Sequence, residues 1–162
     1  MNTLKLIEKL ARELPTFADG RIDYTEAKKA PVINCAVYAD GQLLVLKRSQ
    51  QVIAHAGRWN GVSGFIDTYL PIMEIAQNEL SEELTLTVPE TQITVLDPHE
   101  YEDHEFNRTW VVFPVGVSLH DKPDIYLDDE HTDFAWIDPK KLGDYDCIPD
   151  FKRVVERTAS AV

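Results

Sequence analysis

The sequence predicts an α+β protein, an α/β/α sandwich in which a mixed β-sheet is flanked by helices. Apolar runs rich in β-branched residues follow one another along the chain and are interrupted by stretches of helical periodicity. Asp40-Gly41 joins the first two runs and is a strong hairpin signal. The order is hairpin, strand, helix, strand, long strand, strand and helix, so the central and closing helices are expected to cover the sheet.

The N-terminal segment is predicted to be a helical extension over residues 1–29, ahead of one domain at residues 30–162. Residues 2–14 are amphipathic, with a single apolar stripe formed by Leu4, Ile7, Leu10, Ala11 and Leu14. Docking of this stripe on the domain's own sheet is the favoured interpretation, and a contact within a homodimer is the alternative.

The strands are predicted from apolar runs bounded by turn residues. Residues 32–40 and 42–48 form the hairpin, and further strands are expected at 91–96, 108–119 and 132–138, with short ones at 21–24 and between Gly61 and Gly64. Pro114 and Gly116 indicate a bulge or an edge position within residues 108–119. The polar residues 99–107 are expected to form a loop. A closing helix begins near residues 148–150.

Composition limits the classes of partner. At 162 residues the chain is long enough for one domain with a sizeable core. The formal charge of −12 argues against nucleic acid or an anionic membrane as the main partner. The two cysteines suggest no disulfide framework, and the absence of a signal-like or membrane-spanning run makes a cytoplasmic location the default expectation.

The central helix is predicted to begin after Pro71 and carries the most informative residues. Glu79, Glu82 and Glu83 stand at i, i+3 and i+4, so their carboxylates share one helix face without a Lys or Arg one turn away. No Lys or Arg occurs between Arg58 and Arg108, although acidic residues occur throughout that interval. A solvated acidic face is one interpretation. The other is a site for a hard divalent cation held by carboxylate oxygens.

The stretch from Gly64 to Leu86 resembles the Nudix box, G-x5-E-x7-R-E-U-x-E-E-x-G-U, where U is a bulky aliphatic residue. Gly64 matches the opening glycine, Glu79-Leu80 the E-U pair, and Glu82-Glu83 the E-E pair. Three positions depart from the pattern, namely Leu70, Asn78 and Thr85 in place of Glu, Arg and Gly. In the family this Glu and this Arg lie close together. Because Leu70 and Asn78 replace both of them, neither charge is left buried without its partner.

The resemblance implies a Nudix fold over about residues 30–157 and the hydrolysis of a phosphoanhydride bond in a nucleoside diphosphate linked to another moiety. It implies that Glu79, Glu82 and Glu83 are catalytic and bind Mg²⁺ or Mn²⁺, with the main-chain carbonyl near Gly64 as a further ligand. Such an ion neutralises phosphate oxygens and activates water. Glu79 is a metal ligand or the general base, since relatives use both arrangements.

The substrate contacts and an alternative base are expected outside the box. In Nudix proteins a basic residue at the end of the equivalent strand often faces the substrate diphosphate, and Arg48 stands at that end; Arg58 lies in the stretch before the box. Three acids outside the box are candidates for a water-activating base: Glu102, Glu105 and Glu130.

Two other functions remain open at this point. The departures from the box make a catalytically silent Nudix module that binds a nucleotide or a protein credible. An isopentenyl-diphosphate-type isomerase shares the fold, but those enzymes carry a catalytic Cys where this chain has Ser63.

Overall fold

The secondary structure follows the predicted order, with additional strands at Trp59–Asn60 and His99–Asp103. The computed structural model describes residues 2–162. The helices are α1 (Thr3–Ala11), α2 (Ile72–Leu84) and α3 (Phe151–Ala159), and short 3-10 turns occupy Glu90–Gln92 and Pro139–Asp144. The strands are β1 (Lys29–Ala39), β2 (Gln42–Arg48), β3 (Trp59–Asn60), β4 (Val62–Phe65), β5 (Ile93–Val95), β6 (His99–Asp103), β7 (Arg108–Leu119) and β8 (His131–Ile137).

Within residues 2–162 the eight strands form one mixed sheet. The long strands β1 and β7 run parallel at its centre, in register from Lys29 opposite Thr109 to Ala39 opposite Leu119. On the other side of β1, the hairpin partner β2 pairs with its end and β4 pairs with its first half. Strand β2 then pairs with β8, while β5 and β6 share the outer side of β7. The predicted mixed sheet is therefore confirmed.

The helices cover both faces of the sheet. Alternate residues of β1 point to opposite faces, as the two-residue period of a strand requires. Ile33, Cys35 and Val37 join the apolar cluster that contains α1 and α2, whereas Ala36 joins the cluster under α3. This arrangement is the three-layer α+β sandwich that the sequence predicts. No helix among residues 2–162 is both long and apolar enough to cross a bilayer.

The N-terminal helix packs on the domain's own sheet, as favoured from its apolar stripe. Ile7 is fully buried and Ala11 nearly so, and both belong to the cluster that includes the core of α2. The expected strand at residues 21–24 is not formed, because Ile22 makes only one bridge, to Thr16. Its backbone N–H instead donates to the carbonyl of Asp67, which ties the N-terminal segment to the loop before α2.

Residues 99–107 were expected to form a loop, which was wrong for residues 99–103, whereas residues 104–107 form the turn before β7. Strand β6 pairs antiparallel with the first half of β7 from His99 opposite Val112 to Asp103 opposite Arg108. Its polar residues His99 and Asp103 are both buried. Their side chains find polar partners inside the protein, so polarity alone misled the prediction.

The expectation of a bulge or edge at Pro114 was also wrong, because β7 is a central strand in continuous register. The Pro114 carbonyl accepts a hydrogen bond from the Leu96 N–H at 2.9 Å. The N–H and C=O of a strand residue face the same neighbour. The missing N–H of Pro114 therefore faces Leu96, just past the end of β5, where the pairing of β7 passes from β5 to β6. Gly116 serves close packing instead, since a β-carbon there would lie 2.6 Å from Val162 Cγ1.

Helix α2 ends at the position that the box pattern gives to glycine. Thr85 adopts the left-handed conformation, with φ 59° and ψ 38°, and its N–H donates to the carbonyl of Ser81. A left-handed residue at a helix end is usually Gly, because a β-carbon is strained there. Thr85 therefore has the left-handed backbone that favours glycine, although its own side chain carries a β-carbon.

Candidate functional site

One cleft contains all three glutamates of the predicted site. It lies between α2, the strand β4 and the segment that leads into β8. Its lining is mostly polar and acidic, and consists of Arg21, Ser63, Gly64, Phe65, Asp67, Glu79, Glu82, Glu83, Asp128 and Glu130. Segments far apart in sequence therefore bring six carboxylates to one opening.

Glu79 lies directly against the backbone of Gly64. A β-carbon built on Gly64 would lie 2.5 Å from Glu79 Oε1 and 2.9 Å from Glu79 Oε2. A β-carbon at this position would displace the Glu79 carboxylate, so glycine permits the close approach of that carboxylate to the backbone. The predicted carbonyl ligand and the predicted carboxylate ligand are consequently neighbours.

Glu83 is the most deeply buried acid of the cleft, with 2% of its surface exposed. Its Oε2 accepts a hydrogen bond from the Ser63 N–H at 3.2 Å, and its main-chain carbonyl accepts one from the Asp128 N–H at 3.2 Å. The first contact fixes α2 to β4, and the second fixes the segment before β8 to the end of α2. Glu83 is the point at which the three parts of the cleft meet.

A chain of buried amides supports the β4 side of the cleft. Asn34 Nδ2 donates to Asn60 Oδ1 at 2.9 Å, and Asn60 Nδ2 donates to Ser63 Oγ at 2.9 Å. Both asparagines are almost fully buried. Because buried polar groups hold their geometry when they are hydrogen-bonded, this chain orients Ser63 and, through its N–H, the carboxylate of Glu83.

The cleft strongly disfavours negative charge. Burial, followed by the neighbouring carboxylates of the cleft, raises the pKa of Glu79 to about 8. Burial and then Glu79 raise the pKa of Glu83 well above its ordinary value. Across residues 2–162, no Lys or Arg forms an ion pair with Glu79, Glu82 or Glu83. These three glutamates are therefore held together without a direct ion pair to a Lys or Arg of the described residues.

Arg21 is the one basic side chain in the lining of this cleft among the residues described. Its Nη1 lies 3.5 Å from Asp67 Oδ2, and its Nε donates to Asp19 Oδ2 at 2.7 Å. Burial raises the pKa of Asp67, and Arg21 opposes that rise. Arg21 comes from the N-terminal segment, which sequence analysis treated as an extension, so its place beside the acids was not anticipated.

The two arginines predicted to bind substrate occupy different surroundings. Arg48 Nε donates to the carbonyl of Ala54 at 2.9 Å; burial lowers its pKa, while Glu130 and Glu83 raise it. Arg48 thus lies within the electrostatic reach of the cleft acids. Arg58 Nη2 instead donates to the carbonyl of Cys147 at 2.8 Å, which joins the start of β3 to the segment before α3. Arg58 does not line the cleft.

The three acids predicted as alternative bases are also separated. Glu130 lines the cleft with the glutamates of α2. Glu102 lines another surface depression, together with Lys28 and Arg108. Glu105 lies in the turn between β6 and β7, where its Oε2 is 3.7 Å from His55 Nδ1. Only Glu130 of the three is brought to the glutamates.

Two further residues of the site were not predicted from the sequence. Asp128 lines the cleft, and His131 Nδ1 lies 2.7 Å from Asp128 Oδ1. One ligand atom from each of Glu83, Asp128 and His131 lies within 4.8 Å of those of the other two. The run Asp128-Asp129-Glu130-His131, which leads into β8, was a usable signal, because it concentrates ligand-type side chains at the start of a strand.

The donor set fits a divalent cation. Carboxylate and carbonyl oxygens are the ligands preferred by Mg²⁺ and Mn²⁺, and Glu79, Glu82, Glu83 and the Gly64 carbonyl provide them. Buried, uncompensated carboxylates are expensive unless they are neutralised by protons or by a cation. The residues present therefore suit an ion of this class.

A family comparison identifies the class of protein. The model of the NUDIX domain matches residues 28–157, so this chain belongs to the NUDIX family, and the resemblance drawn from the box is confirmed. Nudix domains typically depend on a divalent metal. A comparison with curated protein sequences found no match.

Solved structures confirm the fold at low sequence identity. A MutT protein from Methanosarcina mazei Go1 is 19% identical with a TM-score of 0.67, covering 84% of this chain and 96% of its own. A MutT NUDIX hydrolase from Burkholderia pseudomallei is 21% identical with a TM-score of 0.66, covering 79% and 96%. The E. coli dihydroneopterin triphosphate pyrophosphohydrolase is 20% identical with a TM-score of 0.64, covering 82% and 96%.

Proposed function

We propose that this protein is a metal-dependent diphosphohydrolase that cleaves a phosphoanhydride bond in a nucleoside diphosphate linked to another moiety. The observation that carries the proposal is the cleft in which Glu79, Glu82 and Glu83 converge with Asp128 and Glu130 and form no ion pair with Lys or Arg in residues 2–162. Family membership supports the same reaction class, because the similar structures include a pyrophosphohydrolase.

Glu79, Glu82 and Glu83, with the Gly64 carbonyl, are the proposed ligands of Mg²⁺ or Mn²⁺. When bound, such an ion supplies the positive charge that neutralises phosphate oxygens and favours attack by water. Glu83 is fixed by the Ser63 N–H, and Glu79 is held against Gly64, so both carboxylates are oriented before any ligand arrives. Orientation of this kind lowers the entropic barrier to reaction.

Glu130 is the proposed alternative to Glu79 as the acceptor of the water's proton. It lines the same cleft, whereas Glu102 and Glu105 lie elsewhere. A base must lie within hydrogen-bond reach of the proton that it removes. Glu79, whose pKa is raised to about 8, tends to hold a proton on its own carboxylate near neutral pH until a cation displaces it.

Contacts to the substrate are proposed for Arg21, Arg48 and Phe65. Arg21 lines the cleft, and Arg48 feels the charges of Glu130 and Glu83, so either guanidinium suits a phosphate oxygen. Phe65 also lines the cleft and is 40% exposed, so part of its ring is accessible to a nucleobase. Tyr24 stacks against Phe65 with ring centroids 5.6 Å apart and fixes its orientation.

The predicted role of Arg58 as a substrate contact is the least supported, since its guanidinium donates a hydrogen bond to the main-chain carbonyl of Cys147.

The proposal is tested by incubating the protein with a panel of nucleoside diphosphate derivatives and Mg²⁺ or Mn²⁺, and by measuring release of nucleoside monophosphate or phosphate. Turnover that requires the metal and is lost in Glu82→Gln is expected. Glu74→Gln is the matched control, because Glu74 is exposed in the first turn of the same helix and does not line the cleft.

Other outcomes select the other functions. Tight nucleotide binding without turnover, unaffected by metal or by Glu82→Gln, would identify a silent binding module and contradict the proposal. Isomerisation of isopentenyl diphosphate would identify the third function. That reaction is disfavoured here because Ser63 occupies the position of the isomerase Cys and accepts a hydrogen bond from Asn60.

A further inference from the structure

A short hairpin in the N-terminal segment brings Arg21 to the acidic cleft. The hairpin comprises residues 15–23 and is closed by a hydrogen bond of 2.9 Å from the Asp23 N–H to the Pro15 carbonyl. It precedes residues 28–157, which the model of the NUDIX domain matches. The hairpin therefore lies outside the matched region, yet it contributes Arg21 to the lining of the cleft.

The position of the hairpin does not depend on the Arg21 side chain. The Ile22 N–H donates to the Asp67 carbonyl at 2.8 Å, and the hydroxyl of Tyr24, the residue after the hairpin, donates to the Ile66 carbonyl at 2.8 Å. Ile22 and Tyr24 are both buried in the core. These contacts already fasten the segment to the loop before α2, so another role is available to Arg21.

Three side chains hold the Arg21 guanidinium itself. Its Nε donates to Asp19 Oδ2 at 2.7 Å, its Nη1 lies 3.5 Å from Asp67 Oδ2, and its Cζ lies 5.5 Å from the ring centroid of Phe17. The Arg21 N–H also donates to Asp19 Oδ1 at 3.1 Å. A guanidinium has five N–H donors in a fixed fork, so these partners leave donors for an anion.

The ion pair between Arg21 and Asp19 is too exposed to stabilise the fold strongly. The two side chains keep 53% and 55% of their surface exposed. Ion pairs between exposed side chains contribute little to the free energy of unfolding, because water screens the charges and the side chains lose entropy. The ordering of Arg21 is therefore better explained by a ligand than by stability.

The charges around Arg21 indicate which ligand it suits. Six carboxylates line the cleft and repel an anion, and Arg21 is the one basic side chain in that lining among the residues described. A guanidinium at the cleft offsets part of this repulsion. Its planar fork also matches two oxygens of a phosphate group.

We propose that Arg21 binds a phosphate group of the substrate at the opening of the cleft, and that Asp19 and Asp67 position its guanidinium for this contact. The N-terminal hairpin then completes the active site. This inference rests on the proposed hydrolase and deepens it, because Asp19 does not line the cleft and acts through Arg21. The group recognised is the diphosphate that all nucleoside diphosphate derivatives share.

The test is calorimetric titration of the intact chain with inorganic pyrophosphate in the presence of Mg²⁺. Arg21→Gln should weaken pyrophosphate binding by about tenfold or more, because hydrogen bonds between charged groups are the strong ones. Arg21→Lys keeps the charge without the fork and should restore part of the affinity. Asp19→Asn should weaken binding by about threefold although Arg21 is retained, because the amide holds the guanidinium less firmly.

Arg12→Gln is the matched control, since Arg12 is an exposed basic residue of the same N-terminal segment and does not line the cleft. It removes the same charge as Arg21→Gln and should bind pyrophosphate as the wild-type protein does. Equal weakening in the two variants would show that only net charge matters and would overturn the proposal.

Melting temperatures and kinetics separate positioning from a structural role. All four variants should melt within about 2 °C of the wild-type protein, because the ion pair is exposed. With a substrate that turns over, Asp19→Asn should raise KM more than it lowers kcat, since the weakened contact serves binding. A lower melting temperature in Arg21→Gln with unchanged pyrophosphate affinity would show that Arg21 only stabilises the hairpin, which overturns the proposal.

Failure of this proposal is distinguishable from failure of the proposed hydrolase. Metal-dependent turnover with unchanged pyrophosphate affinity in Arg21→Gln overturns the phosphate contact and leaves the hydrolase. Pyrophosphate binding that depends on Arg21, without turnover of any substrate in the panel, supports the contact and contradicts the hydrolase. Absence of pyrophosphate binding to the wild-type protein at millimolar concentration overturns the contact.

Discussion

Buried acids occur in two regions of this protein, and the fold treats them in opposite ways. In β6, Asp103 accepts hydrogen bonds from Trp110 Nε1 at 3.0 Å and from the Glu105 N–H at 3.1 Å, and it lies 3.2 Å from His55 Nε2. In the cleft, Glu83 is equally buried, yet its carboxylate receives one backbone N–H, at 3.2 Å.

The difference separates acids that stabilise the protein from acids that are available to a ligand. A buried carboxylate with several donors contributes to stability, and removal of its partners is destabilising. A buried carboxylate without a cation is unfavourable in the free protein, and a bound ion relieves this. The comparison therefore predicts opposite consequences for neutralising acids in the two regions.

The largest expected effect is in the cleft. Glu83→Gln should lower hydrolysis by more than about 100-fold, because even residues that only support metal ligands are worth about 10–100-fold. The same change should raise the melting temperature of the metal-free protein, since it removes an uncompensated buried charge. Steady-state kinetics and thermal melting in EDTA measure the two effects. A large fall in melting temperature with unchanged activity would show that Glu83 stabilises the protein and is not needed for the reaction.

The opposite pattern is expected near β6. Asp103→Ala leaves Trp110 Nε1 and His55 without their acceptor and should lower the free energy of unfolding by about 3 kcal/mol. For a chain of this size that is a fall of roughly 6–12 °C in melting temperature. Calorimetric titration with Mn²⁺ on the folded variant should give wild-type affinity. Weakened Mn²⁺ binding would remove the distinction between the two regions.

A smaller effect is expected in the pH dependence of the free energy of unfolding. The pKa of Glu79 rises from 4.5 to about 8 on folding, mainly through burial. The folded state therefore holds an extra proton between these values, and the contribution of Glu79 to stability declines as pH rises through that window. In EDTA, urea midpoints should fall less steeply from pH 5 to 8 in Glu79→Gln than in wild type. Parallel profiles for the two proteins would contradict the assignment of the proton to Glu79.

The smallest expected effect concerns the end of the helix that carries the cleft acids. Thr85 has φ 59°, a conformation that costs a residue with a β-carbon about 1–2 kcal/mol. Thr85→Gly should therefore stabilise the protein by about 1 kcal/mol, or roughly 2–4 °C in melting temperature. Thr87→Gly, also at an exposed position but without a positive φ, is the control and should not stabilise. Equal shifts in the two variants would show that the backbone at Thr85 is not strained.

Most of the fold was predictable because its signals are local. The hairpin at Asp40-Gly41, the bounds of β2 and β7, and the start of α2 after Pro71 all follow from periodicity and turn residues. Strand β6 was missed because its buried residues are polar and their partners lie far away in sequence, as His99 and Asp150 illustrate. Polarity marks a loop only when the polar groups have no partners inside the protein.

The cleft was predictable in part. The glutamates of α2 share a helix face, so their convergence follows from spacing alone. Asp128, His131 and Arg21 reach the same place through tertiary packing, Arg21 from a segment that precedes the sheet entirely. No periodicity links such residues, and only the fold brings them to α2.

Calorimetric titration of the wild-type protein with Mn²⁺ at pH 7, in two buffers of different ionisation enthalpy, tests the central claim most directly. If the unpaired carboxylates of the cleft hold a divalent cation, Mn²⁺ binds and displaces protons, because the pKa of Glu79 is about 8 without a metal. The observed heats then differ between the two buffers, and Glu83→Gln weakens the binding. Absence of binding at millimolar Mn²⁺, or binding that is unaffected by Glu83→Gln, would contradict the account.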